Sequence, residues 1–573
     1  MSRRYSQKSN DLGNLGKSVE DKNPGIFKKL QSLLFKNNTV TPDPKKAQYA
    51  SDLAKKIDLK KKENKDNNIV FSIKKDTQKK PQNVTKPIIK KITVKKNQSN
   101  NTNLRVNTQP SEKLTNNDQL INYFDKIDFK SDGLNQKPSM LSSSTKEQLK
   151  KWKSCFNEYV ENQSDENKEF LDIVIGYDFG TSSSKIIISF PYFSNLDSFA
   201  FPVPKEFRVN DHEHCWQTML YFNNDTGIFE ISPSSLNVEN INQIKTRLMQ
   251  FDKKHSVVFR DGDNQMTIEY ITTIYLSLMI RNIKGWILSD ILSKYLKNYK
   301  SYNIQWNFNF GVPAASLDKK SNYFKNIFSL SCRLSEITKD ITPSNFISLS
   351  NESSSKNQIS NAFPEVVAQS IGFIEATKSD YGAYVMVDIG ASTLDICIFN
   401  INPNAYRSKT SLFTASVKLL GAETINWIKE VNTKFDKSFS QNDLKKEIQK
   451  AFNDALIFTK KERAATLKEW KSSFPIILSG GGKYSNLHAS TIKNTKEWWK
   501  NYVSCNLIFP EIVMPENVKI NCSKKEYHRL SVAYGLSFEN QHLLEYELPS
   551  DIENLPQLKK KDIEDNYIGP EQI

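Results

Sequence analysis

Long apolar runs are missing from this sequence. Nothing in it approaches the roughly 18 consecutive apolar residues that a membrane-spanning helix requires, and the opening MSRRYSQKSNDLGN has no apolar core of a secretory signal. A soluble, cytoplasmic protein is the expectation. Cysteine is scarce and scattered, six in 573 residues (Cys155, Cys215, Cys332, Cys397, Cys505 and Cys522) without a CxxC pair. That usage suits a reducing compartment and argues against a zinc ribbon. Aromatic residues are few in the first 150 positions, which are rich in Lys, Asn, Ser and Gln. Such a stretch buries too little apolar surface to offset the entropy of ordering, so residues 1–165 read as a long disordered N-terminal tail.

The charge is as uneven as the hydrophobicity. Residues 1–150 carry 32 Lys and Arg against 15 Asp and Glu, and the remaining residues carry 48 against 49. The basic excess therefore belongs to the tail, where it would attract an anionic surface, nucleic acid or lipid, or an acidic protein. A solvated tail that only aids solubility is the alternative. Within it, GIFKKLQSLLFKN places Ile26, Phe27, Leu30, Leu33 and Leu34 on one helical side with lysines opposite. That pattern fits a docking or membrane-surface helix, or a nascent helix with no partner. A mitochondrial presequence is disfavoured by Asp11, Glu20 and Asp21.

Beyond the tail, short β-branched runs alternate with longer helical patterns, an α/β signature, with the folded part expected from about Leu171 to Phe538. The segment 266–292 reads as a helix. LSNESSSKNQISN (349–361) reads as an exposed loop and residues 557–573 as a polar C-terminal tail. Asp211-His212-Glu213-His214-Cys215 could be drawn as a metal site, but it lies in a polar stretch without a second ligand group and reads as a solvated loop.

Two strings carry the chemistry. IVIGYDFGTSSSKIIISF (173–190) and YVMVDIGASTLDICIFN (384–400) each place Asp-x-Gly-x-Ser between strand-like runs. Ordinary residue frequencies give such a string roughly a quarter of an occurrence in a chain this long. Two hairpin turns would be the bland account, but it leaves the duplication unexplained. In the chemical account, Gly180 and Gly390 let the backbone turn so that amides and the hydroxyls of Thr181, Ser182, Ser183, Ser392 and Thr393 converge on phosphate oxygens. Asp178 and Asp388 would repel a polyphosphate unless a divalent cation lay between, which implies magnesium, held through waters. FPIILSGGGKYSNL (474–487) adds a strand followed by Gly480, Gly481 and Gly482, where backbone could approach a flat ring.

In their order these strings resemble the signatures of the actin, sugar kinase and seventy-kilodalton heat-shock ATPase superfamily. The resemblance is strongest to the heat-shock nucleotide-binding domain and the bacterial actin-like branches. Asp178 to Lys185 resembles the first phosphate motif, Asp388 to Asp395, including Ala391, resembles the second, and Ser479 to Gly482 resembles the adenosine motif. Pro364 to Gly372 and Ser531 to Leu536 resemble the two connecting motifs, while Gly311 to Ala314 and Leu420 to Glu423 are similar to the chaperones' VPA and LGGE strings.

The resemblance implies a two-lobed actin-like ATPase fold of duplicated ribonuclease H-like domains, with lobes at 171–361 and 362–545 and a polar tail at 546–573. It implies ATP and Mg2+ as cofactors. Glu365 would orient the attacking water, Lys185 and Lys245 would contact phosphate, Gly421 and Glu423 would meet the ribose, and Tyr484 would stack on the base where the family keeps an arginine. Few residues follow the second connecting motif, so a chaperone's peptide-binding domain is not expected. The resemblance leaves three functions open: a heat-shock-chaperone-like switch, slowly hydrolysing ATP and acting on an unidentified protein partner; a bacterial actin-like filament or segregation scaffold that self-associates; and a small-molecule kinase.

Overall fold

The structure, a computed structural model, describes residues 140–162, 168–193, 196–249, 257–353, 358–377, 382–402, 409–424, 440–520, 523–543 and 546–555. The amphipathic segment 25–37, most of the basic tail and residues 557–573 lie outside the described residues.

The first element corrects the expected start of the folded part. Helix α1 (Ser143–Glu161) falls within the stretch read as tail. It begins at Ser142, whose hydroxyl accepts from the Thr145 amide, while Glu206 accepts from the Ser142 amide at 2.9 Å and the Thr145 hydroxyl at 2.8 Å. Leu149, Trp152, Phe156 and Tyr159 recur at helical spacing, and Trp152 and Phe156 are fully buried in the first core. The overall charge of the tail masked this local periodicity.

The chain then builds two mixed sheets with the same internal plan. In the first, β1 (Glu169–Phe179), β2 (Ser183–Ser189) and β3 (Ser198–Ala200) form an antiparallel meander. After the short helix α2 (Ile244–Leu248) and the long helix α3 (Ile268–Trp286), β4 (Tyr302–Val312) returns parallel to β1. Helix α4 (Ala314–Ser335) carries the chain to β5 (Gln358–Pro364), parallel to β4. Helix α5 (Glu365–Thr377) follows directly.

The second sheet repeats this. Strands β6 (Gly382–Ile389), β7 (Leu394–Asn402) and β8 (Lys409–Lys418) form the meander. Helix α6 (Gln441–Phe458), capped by Ser440 in a capping box with Asp443, leads to β9 (Ser473–Ser479), parallel to β6. Helix α7 (Asn486–Val503) then leads to β10 (Asn506–Ile508), parallel to β9. Each meander's outer strand gains one more parallel partner from late in the chain: β11 (Val518–Lys519) joins β3, and β12 (Tyr546–Glu547) joins β8. Between β11 and β12 stands the short helix α8 (Ser531–Leu536).

Two expectations are corrected here. The stretch 349–361 is no exposed loop: Leu349 is buried on a helix, and the segment continues into β5, a strand of the first sheet. The segment from 546 is no tail at its start, because Tyr546 and Glu547 pair with Thr410 and Ser411. The polar side chains of these segments signalled solvent, whereas their backbones satisfy sheet edges.

Helices α5 and α8 exchange places between the sheets. Helix α5 leaves the first sheet but packs Val367 and Phe373 into the cluster that holds Tyr384 and Phe399 of the second. Helix α8 follows the second sheet, yet Ala533 and Tyr534 cluster with Ile187 and Ala200 of the first. The two helices cross at Gly535, where an added Cβ would lie 1.7 Å from the carbonyl oxygen of Ala368.

Candidate functional site

Both duplicated turns sit at corresponding places, between the first and second strands of each meander. In the first, the antiparallel register sets Asp178 opposite Lys185, and Lys185 Nζ lies 3.1 Å from Asp178 Oδ2. In the second, the same register sets Asp388 opposite Asp395. One copy of the device therefore carries an ion pair, and the other a pair of acids. Gly180 is required sterically, because a Cβ there would lie 2.4 Å from the Ser183 carbonyl oxygen and 2.8 Å from Lys185 Nζ.

The triple glycine closes onto the second turn. Gly480 has φ +80°, and a Cβ on it would fall 2.1 Å from Asp388 Oδ1. The amide of Gly482 donates to the Ile389 carbonyl at 2.8 Å. The segment around Gly421 is stitched to the same turn, with Ala422 N donating to Gly390 O and Glu423 N to Ala391 O, both at 2.9 Å. Three strings far apart in the chain thus share one backbone network at the ends of β6 and β9.

These elements enclose an open cleft of about 980 Å3, counted out to the solvent at its mouth. Asp178, Gly180, Thr181, Ser182, Ser183, Lys185, Lys245, Glu365, Asp388, Gly390, Ala391, Thr393, Glu423 and Gly480 to Gly482 all line it. Ser392 and Gly421 stand behind the lining, Ser392 fully buried and 3.4 Å from the Thr246 hydroxyl. Tyr484 is outside it as well. Its ring is half exposed, meets His528 edge-on at 5.0 Å and donates its hydroxyl to the Lys525 carbonyl, so the cleft gains no aromatic face from it.

At one end of the cleft, Lys245 Nζ donates to Glu365 Oε1 at 2.7 Å, both side chains about 10% exposed. Glu365 opens α5, and Gly311 makes room for it, since a Cβ at 311 would come within 2.8 Å of Glu365 Cγ. Burial pushes the Glu365 pKa up, as do Asp178 and Asp388, against the opposing pull of Lys245. Burial and the Asp178 charge likewise raise Asp388. Asp395 is raised furthest, by burial and then by Glu365 and Asp388, and its Oδ1 has no hydrogen-bond partner among the described residues. Burial opposes the charges on Lys185 and Lys245, but Asp178 and Glu365 respectively outweigh it and lift both lysines above their ordinary value. A smaller cavity of about 370 Å3 shares Glu365, Gln369, Asp388 and Asp395 with the cleft.

No protein-family model matches the chain, and no curated protein matches it.

What the site can hold follows from its own groups. Five carboxylates (Asp178, Glu365, Asp388, Asp395, Glu423) line the cleft against three cationic groups (Lys185, Lys245, Arg529), so full ionisation leaves an uncompensated negative charge suited to a divalent cation. Among the described residues, no three ligating side chains are grouped to hold a metal directly. Magnesium, which keeps several of its waters, fits that arrangement better than a cation needing a closed protein cage. The stretch Asp211 to Cys215 is not such a cage either, nor a solvated loop: Asn210 and Asp211, at φ 52° and 58°, form a tight turn beside the cleft. Beyond that turn, His212, His214 and Cys215 are buried. His214 Nδ1 meets the Phe201 carbonyl at 2.9 Å, which makes it part of the packing.

Eight lining residues escaped the sequence reading as site groups: Val209, Asn210, Ala422 and Val532, and the four with the most to offer a ligand, Gln369, Asp395, His528 and Arg529. Gln369 donates to Ser531 Oγ at 2.8 Å and accepts from Ser479 Oγ at 3.2 Å, tying α5 to α8 and β9. Asp395 was legible as the end of a motif, and its register opposite Asp388 is the signal that could have found it. Arg529 lies over the glycine loop, where a Cβ on Gly481 would meet its Nη1 at 2.9 Å. Nothing in its local sequence announces that contact.

Proposed function

We propose that this chain is an ATP- and magnesium-binding protein of the actin, sugar kinase and heat-shock ATPase superfamily, with the duplicated ribonuclease H-like lobes of that group. In this reading it hydrolyses ATP slowly and works as a conformational switch. One observation carries the reading: two Asp-x-Gly-x-Ser turns and a triple-glycine loop, spread over some three hundred residues of sequence, meet around a single cleft with their acids and lysines inward. The repeated strand order of the two sheets supports it, as does the exchange of α5 and α8, a crossing about which two lobes could close.

In this mechanism the amides and hydroxyls of residues 180–183 and of Gly390, Ala391 and Thr393 bind polyphosphate from two sides, and Lys185 supplies countercharge. Magnesium, when bound, would neutralise the polyphosphate and stabilise the charge that develops at transfer. Glu365, held in place by Lys245, orients a water for in-line attack, since phosphoryl transfer depends mainly on positioning and electrostatics. The chain's own residues thus divide into ground-state binders (Asp178, Asp388 and the glycine turns) and a group that acts as the reaction proceeds (Glu365).

Calorimetry with the full chain and ATP-magnesium, followed by phosphate release, tests this. Glu365→Ala should lower turnover while leaving affinity within a few-fold, whereas Asp388→Ala should weaken affinity itself. A folded protein that gives no heat and no thermal shift with millimolar ATP-magnesium would refute the reading. Appearance of a phosphorylated small molecule instead of free phosphate would move it to a kinase. ATP-dependent sedimentation would favour the filament, whose support here is Lys185 in the first turn.

A further inference from the structure

Part of the cleft wall is formed by Gly480 to Gly482 and by His528 and Arg529, the last two residues of the turn Lys524–Arg529. His528, only 2% exposed, stands in that wall. Its Nδ1 is 2.7 Å from the Lys525 carbonyl oxygen. A carbonyl can only accept, so Nδ1 carries the hydrogen. Burial, aided by the positive charges of Lys483 and Arg529, holds the ring's pKa down at about 4 against the pull of that carbonyl, so the imidazole is neutral near pH 7. Nε2 is then a bare acceptor, and among the described residues it has no hydrogen-bond partner. Buried polar nitrogens are rarely left unpaired, because each carries its full desolvation cost.

Beside it, Arg529 donates Nε to Glu526 Oε2 at 2.9 Å and sets Nη1 against Gly481. The wall therefore offers one fixed acceptor next to a set of donors. Adenine presents the complement at its six-position edge, an amino donor beside a ring-nitrogen acceptor. Hypoxanthine and guanine place a carbonyl oxygen there, which would set two acceptors against each other.

Resting on the nucleotide reading above, we propose that His528 and Arg529 select the base: Nε2 of His528 accepts from the exocyclic amino group of adenine, and Arg529 donates to the adjoining ring nitrogen. The discriminating element is the imidazole's missing partner. Specificity of this kind is strong when a mismatched ligand leaves a buried polar group unpaired.

Calorimetric affinities of the full chain for the magnesium complexes of ATP and ITP, which differ only at that edge of the base, test it. The wild-type protein should bind ATP roughly tenfold or more tightly than ITP. His528→Phe, which keeps a ring but removes the acceptor, should narrow that preference by weakening ATP and relieving ITP of the facing acceptor, the remainder being set by Arg529, whose donor meets an N–H in ITP. His528→Gln, whose amide can accept or donate, should narrow it as well. Thermal melting checks that each variant folds, and the wild-type comparison stands without any variant. Equal binding of ATP and ITP by the wild type, or an ATP preference undiminished in folded His528→Phe, would overturn the assignment while leaving the ATPase reading intact. Binding of neither nucleotide would overturn both.

Discussion

Lys245→Met should destabilise the protein more than Glu365→Gln, by a margin that widens as pH rises. The two side chains form one buried pair at 2.7 Å, so a simple account would make the losses equal. Their surroundings break that symmetry. With four carboxylates and two ammonium groups at this end of the cleft, Glu365→Gln leaves three against two and Lys245→Met leaves four against one. Removing one partner of a buried pair costs about 3–5 kcal/mol when the remaining charge is uncompensated. That cost applies to Lys245→Met. After Glu365→Gln, Lys245 keeps the fields of Asp178 and Asp395, which already help raise its pKa, so the cost falls towards that of a lost charged hydrogen bond, about 1.5–3 kcal/mol.

The sign with pH follows from Glu365. Burial already holds its pKa above the ordinary value, and loss of Lys245 raises it further. A carboxyl with a raised folded pKa binds its proton more tightly folded than unfolded. Stability is therefore retained at low pH and lost as pH rises towards the folded value, by about 1.4 kcal/mol for each pH unit that separates the folded from the unfolded pKa. Urea unfolding at pH 5, 6.5 and 8, each variant compared with wild type at the same pH, measures this. Equal losses for the two variants, or a Lys245→Met loss that does not shrink from pH 8 to pH 5, would refute the electrostatic account of the cleft.

Two further outcomes follow from the fold. Trp152→Ala should cost about 3–5 kcal/mol, because Trp152 is fully buried on α1 and donates Nε1 to Asp290 at 2.8 Å. A fragment beginning at Leu171 should accordingly melt well below one beginning at Met140, measured by circular dichroism. Gly535→Ala should lower the thermal midpoint by several degrees or prevent folding, since its Cβ has no room against the Ala368 carbonyl. An unchanged midpoint would mean that the crossing of α5 and α8 is looser than the structure has it.

The sequence by itself determined the parts of this protein that depend on neighbours in the chain. Alternating apolar runs around Asp178-Phe-Gly and Asp388-Ile-Gly could only be strand, turn, strand, and the helix over 268–286 declared its period. Each is a matter of side-chain spacing and glycine geometry within about ten residues. Glu365 was legible as a candidate only through the resemblance of Pro364 to Gly372 to the superfamily's first connecting motif.

Tertiary structure alone decided which distant groups share the cleft. The pairing of Lys245 with Glu365, the placing of Arg529 over Gly481 and the stranded Nε2 of His528 join residues 48 to 120 positions apart or leave a group without a partner. No periodicity encodes these relations, because they arise from how two sheets exchange α5 and α8. The docking of α1 was missed for a related reason. Its apolar stripe is narrow, its surroundings are polar and basic, and the groove that buries Trp152 and Phe156 supplies the apolar burial that stabilises the helix.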